Sequence, residues 1–140
     1  MLWMGLIFYM SSQPQLESEA TSNLATEIIF KVYAFLFSSS HMEISDFFAL
    51  YGQPIRKLAH FTEFMILGIL AYSNIREYTK KHLFLYPLLF SVLYAVSDEI
   101  HQLFVEGRFC ALKDMLIDSS GALTGILLCH LIKRLCQRKD

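Results

Sequence analysis

Charge is scarce in this sequence, and neither sign prevails. The 12 Lys and Arg nearly balance the 13 Asp and Glu, giving a net charge of −1, and charged residues make up only 18% of the chain. With no basic stripe interleaved with aromatics, a general attraction to nucleic acid is excluded. Cysteine is also sparse. Cys110, Cys129 and Cys136 are odd in number and lack metal-type spacing, so no disulfide framework is implied. Cys129 and Cys136, seven apart in an apolar stretch, read as buried small hydrophobes, and Cys110 as incidental. No cleavable leader is expected from the first residues: Met1 to Met10 is apolar but has neither a basic start nor a small-residue cleavage site. There are no internal repeats and no low-complexity tracts.

Apolar residues fill the space left. They make up 54% of the 140 residues, and the mean hydropathy is +0.40, too apolar for an ordinary soluble domain of this length. The expectation is one domain over 1–140: an all-α integral membrane bundle of about four transmembrane helices plus an interfacial helix. The first apolar segment, Leu2 to Met10, rises only about 14 Å as a helix, half of a hydrocarbon core of about 30 Å. A further turn or two upstream of Met1 is therefore expected. Pro14 stops this helix, and the polar stretch Gln15 to Asn23 reads as loop. In Thr26 to Phe37, Glu27 and Lys31 stand four apart on an otherwise apolar helix, which suits a helix lying in the interface. Spans are then expected over Leu58 to Ile75, over Leu83 to Val105, and from about Ala111 to the basic tail. The aromatics Trp3, Tyr9, Phe84 and Tyr86 read as interfacial or lipid-facing. Pro87 is tolerated in a first helical turn, and His41, His82 and His130 receive no role.

Orientation follows from the cations. Arg76, Lys80 and Lys81 in one link and Lys133, Arg134, Arg138 and Lys139 in the tail belong on the cytoplasmic side. Four crossings then place both termini in the cytoplasm of a multi-pass cell-membrane protein. The first loop, acidic through Glu17, Glu19, Glu27, Glu43 and Asp46, and the Glu106-Gly107-Arg108 turn fall outside.

The uncharged runs Phe64 to Ile75, Leu83 to Ser97 and Ser119 to Ile132 each cover only roughly 18 to 22 Å. The remaining depth is crossed by helix carrying His60 and Glu63, Asp98 to Gln102, and Asp114 with Asp118. Charges facing lipid would cost several kcal/mol, so these groups must face one another or a wet cavity. Spacing agrees. Arg56, His60 and Glu63 form one helical stripe, and so do Asp98, His101 and Gln102, with Tyr94 one turn further in. Asp114 and Asp118 share a stripe that continues as Gly121 and Gly125, a G-x-x-x-G that admits a close neighbour.

The segment from Arg56 to Phe64 (R-K-L-A-H-F-T-E-F) and the segment from Ser97 to Arg108 (S-D-E-I-H-Q-L-F-V-E-G-R), followed by Asp114, Asp118 and Gly121, resemble the VanZ-like family of bacterial membrane proteins. Ser11-Ser12-Gln13-Pro14 fits as well, and the resemblance covers nearly the whole chain. Two departures stand out: the first span is short, and Asp118 occupies a position where Asn is more often expected. The resemblance implies a multi-spanning helical fold and a connection with teicoplanin (glycopeptide) resistance. It supplies no reaction.

The leading expectation is a protein that recognises a cell-wall precursor or lipidated glycopeptide from the extracytoplasmic side. In that reading Arg56, Lys57 and Arg108 contact anionic groups. His60, Glu63, Asp98, Glu99, His101, Gln102, Asp114 and Asp118 form the polar cluster. A competing expectation is an intramembrane enzyme acting on a lipid-linked substrate, with His60 and Glu63 or Asp98 as acid and base. A third is a structural or assembly role, in which Arg56 or Arg108 pairs with Glu63 or Asp98. The imidazoles and carboxylates would suit a divalent metal, but no H-E-x-x-H or comparable signature is present. No metal and no cofactor are assigned, and the lipid bilayer is the expected partner.

Overall fold

A computed structural model of the chain describes residues 2–37, 42–79 and 82–137. Met1, His41, Lys80, Lys81, Arg138 and Lys139 lie outside the described residues, and with them part of the orientation argument. The described residues form five helices and no strand: α1 Leu2–Ser11, α2 Gln15–Leu36, α3 Ile44–Tyr78, α4 Leu85–Gln102 and α5 Leu112–Gln137.

Helix α2 corrects the expected loop over Gln15 to Asn23. The stretch is polar, but polarity does not prevent a helix whose backbone is satisfied. Pro14 sets the chain up for a first helical turn and Glu17 sits in that turn, where a carboxylate complements the unpaired N–H groups. Thr21 and Thr26 return their hydroxyls to the carbonyls of Glu17 and Ser22. No side chain caps the helix. Instead the Gln15 N–H donates to the Glu106 carbonyl at 3.2 Å. Gly107 allows this approach: its φ of +77° lies in the left-handed region, and an added Cβ would meet the Gln15 side chain at 3.1 Å. Glu27 and Lys31 form the i,i+4 pair expected of them, at 2.8 Å.

Helix α3 is longer than the expected span. It begins at Ile44, passes through Pro54 and reaches Tyr78, 35 residues in all, which is about 52 Å at the helical rise. The added segment has its own apolar stripe. Phe47 on it is buried against Phe30 and Tyr33 of α2, which accounts for helix where a loop was expected. Helix α4 falls short of its expected bounds at both ends. Beyond Gln102 the chain tightens through turn hydrogen bonds from the N–H groups of Leu103, Phe104 and Val105. Pro87 sits in its first turn, as expected.

Helices α3 and α5 pack most closely. A Cβ at Gly121 or Gly125 would collide with the backbone carbonyls of Phe61 and Met65, and one at Gly68 with that of Ala122. The small residues therefore bring the two backbones together from both sides. Helix α1 lies against α3 and α4. Its Ile7 joins Phe64, Leu67 and Ala95 in the core cluster. Trp3, expected to be interfacial or lipid-facing, is partly buried and packed against that core, with its indole N–H donating to the Glu63 carbonyl at 2.9 Å. An indole buries well only where its N–H finds a partner. At the other end of the bundle, Tyr72 shares a 2.8 Å hydrogen bond with His130, and Lys133 lies over the Tyr72 ring. Cys136 is exposed rather than buried, while Cys129 is half-buried beside Ser73.

Two helices, α3 and the Leu112–Cys136 part of α5, are long and apolar enough to cross a membrane. In the most apolar window of each only 28% of residues are buried, unlike the core helix of a soluble protein. Leu123, Leu127, Leu128, Leu131, Ile132 and Leu135 line the outward faces of α5, an apolar surface that water would not tolerate. Helix α1, ten residues long, and α4, whose last turns carry Asp98, Glu99, His101 and Gln102, fall below the same threshold.

Candidate functional site

Chain direction gathers the polar residues. Helix α4 ends, α5 begins, and the middle of α3 passes at one level of the bundle. Arg56, Lys57 and His60 from α3 line a cavity of about 240 Å³ together with Glu99 and Gln102 from α4. Gly107 and Arg108 of the link, and Asp114 and Asp118 of α5, complete its wall. A second cavity, of about 290 Å³, lies between α2 and α3 and is lined mostly by apolar surface, including Tyr9, Met10, Ile55 and Ala59. Glu63 faces this one. Arg56, His60 and Arg108 line both cavities and so form the wall between them.

Asp98 is buried beside the cavities without lining either. One of its oxygens accepts from Ser11 Oγ at 2.7 Å and from Gln102 Nε2 at 3.0 Å, which ties the end of α1 to α4. Glu99 performs the matching task toward α5. Its Oε2 accepts the Ala111 N–H at 2.9 Å, one residue before the helix, where a carboxylate is favoured by the helix dipole. His101 stands apart from both cavities and stacks on Phe8, with ring centroids 4.3 Å apart.

The ion pairs are few and loose. Lys57 Nζ lies 3.7 Å from Asp114 with both side chains about half exposed, and His60 Nδ1 lies 4.0 Å from Glu63. Among the described residues neither Arg56 nor Arg108 has a carboxylate within 4.0 Å. The pairing of these arginines with Glu63 or Asp98, expected of a purely structural network, is not formed. The described residues also bring no three His, Cys, Asp or Glu side chains together as metal ligands.

Among the described residues several buried polar atoms are left without a hydrogen-bond partner. Both carboxylate oxygens of Asp118 are in this state, and so are Nε and Nη1 of Arg108, Oδ1 of Asp98 and Nε2 of His101. Asp118 is fully buried and Arg108 is 8% exposed. The only hydrogen bond of the Arg108 guanidinium among the described residues is a long one, from Nη2 to the Met10 carbonyl at 3.5 Å. Burial pushes the Arg108 pKa down, and Arg56 adds to this, while Asp98, Glu99 and Glu63 push it back up. A guanidinium keeps its proton under such opposing effects. Leaving a buried donor or acceptor unsatisfied costs about 1–3 kcal/mol, more when charged. Such groups are therefore expected where a ligand completes them.

Sequence reasoning missed the contributions of Ser11, Gln15, Gln53 and the polar face of α2. Gln53 carried a usable signal, since it lies one turn before Arg56 and Lys57 and so extends their stripe. The α2 residues Glu17, Ser18 and Thr21, which line the second cavity, were hidden by the loop assignment.

A family model described as VanZ/LLP1 matches residues 1–133. No curated protein and no solved structure matches the chain.

Proposed function

The chain belongs to the VanZ/LLP1 family, and from that premise we propose that it is a multi-pass membrane protein that binds an amphiphilic ligand at the extracytoplasmic end of its helices. The polar cavity holds the ligand's head and the apolar cavity the start of its chain. The carrying observation is the shared wall: Arg56, His60 and Arg108 border both cavities, so one ligand can place unlike halves on the two sides of the same residues. Arg56, Lys57 and Arg108 contact the ligand's anionic group. A volume of about 240 Å³ lies below the roughly 300–1,000 Å³ of sites that enclose drug-sized molecules. It admits the phosphate end of a cell-wall precursor lipid's head, or the lipid-bearing end of a glycopeptide, rather than a whole precursor head or a whole antibiotic. Binding of this kind contributes to glycopeptide (teicoplanin) resistance.

The test is drug susceptibility with and without the gene, across glycopeptides that carry or lack a lipid tail. Expression protects against the tailed compounds, and the Arg108→Gln variant, inserted at normal levels, loses that protection. Equal susceptibility across both classes, with and without the gene, would sink the resistance role.

An acid/base enzyme acting on a lipid-linked substrate is the competing reading, favoured by the adjacency of His60 and Glu63. The wall shared by the two cavities accommodates an amphiphile without requiring any proton transfer, so binding is the better supported. Glu63→Gln separates them: an enzyme loses turnover altogether, whereas a binding protein loses only affinity.

A further inference from the structure

The charges lining the polar cavity are matched incompletely, and the pattern of the mismatch is informative. Asp114 has Lys57, and Glu99 has the Ala111 N–H. Asp118 has nothing among the described residues, although it is fully buried, and two of the three guanidinium nitrogens of Arg108 are equally bare. These opposite charges line one cavity and yet are not paired with each other. Neither group is satisfied by the other, although both line the same cavity, so a ligand that enters it meets an acidic residue and a basic residue that each lack partners among the described residues.

Asp118 is held on its wall by close packing. It lies one turn before Gly121, whose contact with the Phe61 backbone fixes α5 against α3, so the carboxylate cannot withdraw without parting the helices. Arg108 is held from the other side, where its guanidinium reaches the end of α1 at Met10.

We propose that the polar cavity is a site for a zwitterionic head group, with a primary ammonium seated on Asp118 and a phosphate or carboxylate on Arg108. This deepens the amphiphile-binding reading and rests on it. A purely anionic head would satisfy Arg108 but leave Asp118 uncompensated, with Glu99 and Asp114 on the same wall repelling it. A simple cation would leave Arg56 and Arg108 uncompensated in the same way. Only a ligand carrying both charges satisfies both walls at once. The ammonium must carry N–H donors, as a primary one does, because a quaternary one has none to give the two carboxylate oxygens.

The experiment uses the full chain purified in detergent and native mass spectrometry to count retained lipid. Three probes with identical glycerol-linked acyl chains are offered at equal concentration: phosphatidylethanolamine, N-acetyl phosphatidylethanolamine, which keeps the phosphate but loses the cation, and phosphatidylglycerol. One phosphatidylethanolamine is retained per chain, with at least about tenfold preference over the other two, the value of one charge-assisted hydrogen bond. In Asp118→Asn that preference disappears while retention of phosphatidylglycerol is undiminished. Excess free phosphoethanolamine distinguishes the sources of the head group. If it displaces the lipid, the soluble zwitterion suffices as ligand; if the lipid stays, its chain contributes. Either result supports the zwitterionic site.

Equal retention of all three lipids by the unmodified chain overturns the proposal, and this comparison requires no variant to fold. If that equal retention is lost in Arg108→Gln, the amphiphile-binding reading survives while the zwitterionic one falls. If no lipid is retained, both fall.

Discussion

Replacing Gly125 by alanine tests the contact on which the site's geometry depends. An added Cβ there would overlap the Met65 backbone carbonyl and come within 3.1 Å of an Ile69 side-chain carbon. A carbonyl within a helix cannot rotate away, so α3 and α5 must separate. Forcing a methyl group into a packed contact costs about 1–3 kcal/mol, and the rigidity of the neighbour places this case near the top of that range. Alanine recovers about 1 kcal/mol of helix propensity over glycine, leaving a net loss of about 2 kcal/mol. For a chain of this size that lowers the unfolding midpoint by about 6 °C. The control is Gly52→Ala on α3, where a Cβ meets nothing within 4 Å and only the propensity gain remains, raising the midpoint by about 2–3 °C. The assay is thermal unfolding of both variants in one detergent at one scan rate, because membrane proteins commonly unfold irreversibly. Opposite signs are expected. Shifts of the same sign and size would refute the claim that α3 and α5 meet backbone to backbone.

The other predictions concern single contacts. Asp118→Asn raises the thermal midpoint while weakening ligand binding, since it removes a buried, unpartnered charge that costs about 1–3 kcal/mol or more in the unliganded protein; a lower midpoint would show that Asp118 is satisfied within the fold. Ser11→Ala deprives the buried Asp98 of its 2.7 Å donor and costs about 1–2 kcal/mol, measured as loss of midpoint in the same assay. Gly107→Ala places a side chain at φ +77° and costs about 1–2 kcal/mol. It also loosens the tie between Gln15 and Glu106, which speeds proteolysis at the start of α2. Lys57→Gln breaks only the half-exposed 3.7 Å pair with Asp114 and shifts stability by less than about 1 kcal/mol.

What the sequence determined on its own was the chemistry and its helical phase. Apolar runs too long for a soluble domain, interrupted by ionisable residues at helical spacing, require helices whose polar stretches face inward. The i,i+4 arrangement of Arg56 with His60, and of Asp114 with Asp118, sets which side chains share a stripe whatever the tertiary arrangement. The G-x-x-x-G of Gly121 and Gly125 announced a close neighbour without naming it.

Only the tertiary structure decided who meets whom. It chose α3 as that neighbour and added Gly68 from the opposite side. It turned His101 away to stack on Phe8 and drew Ser11 in to Asp98. It also made a polar segment helical by satisfying the Gln15 N–H with the carbonyl of Glu106, ninety-one residues distant in the chain. The unpaired state of Asp118 and Arg108 is likewise invisible in sequence. Spacing places one charge on α5 and the other in the link before it, but whether they touch depends on how that link folds against the helices.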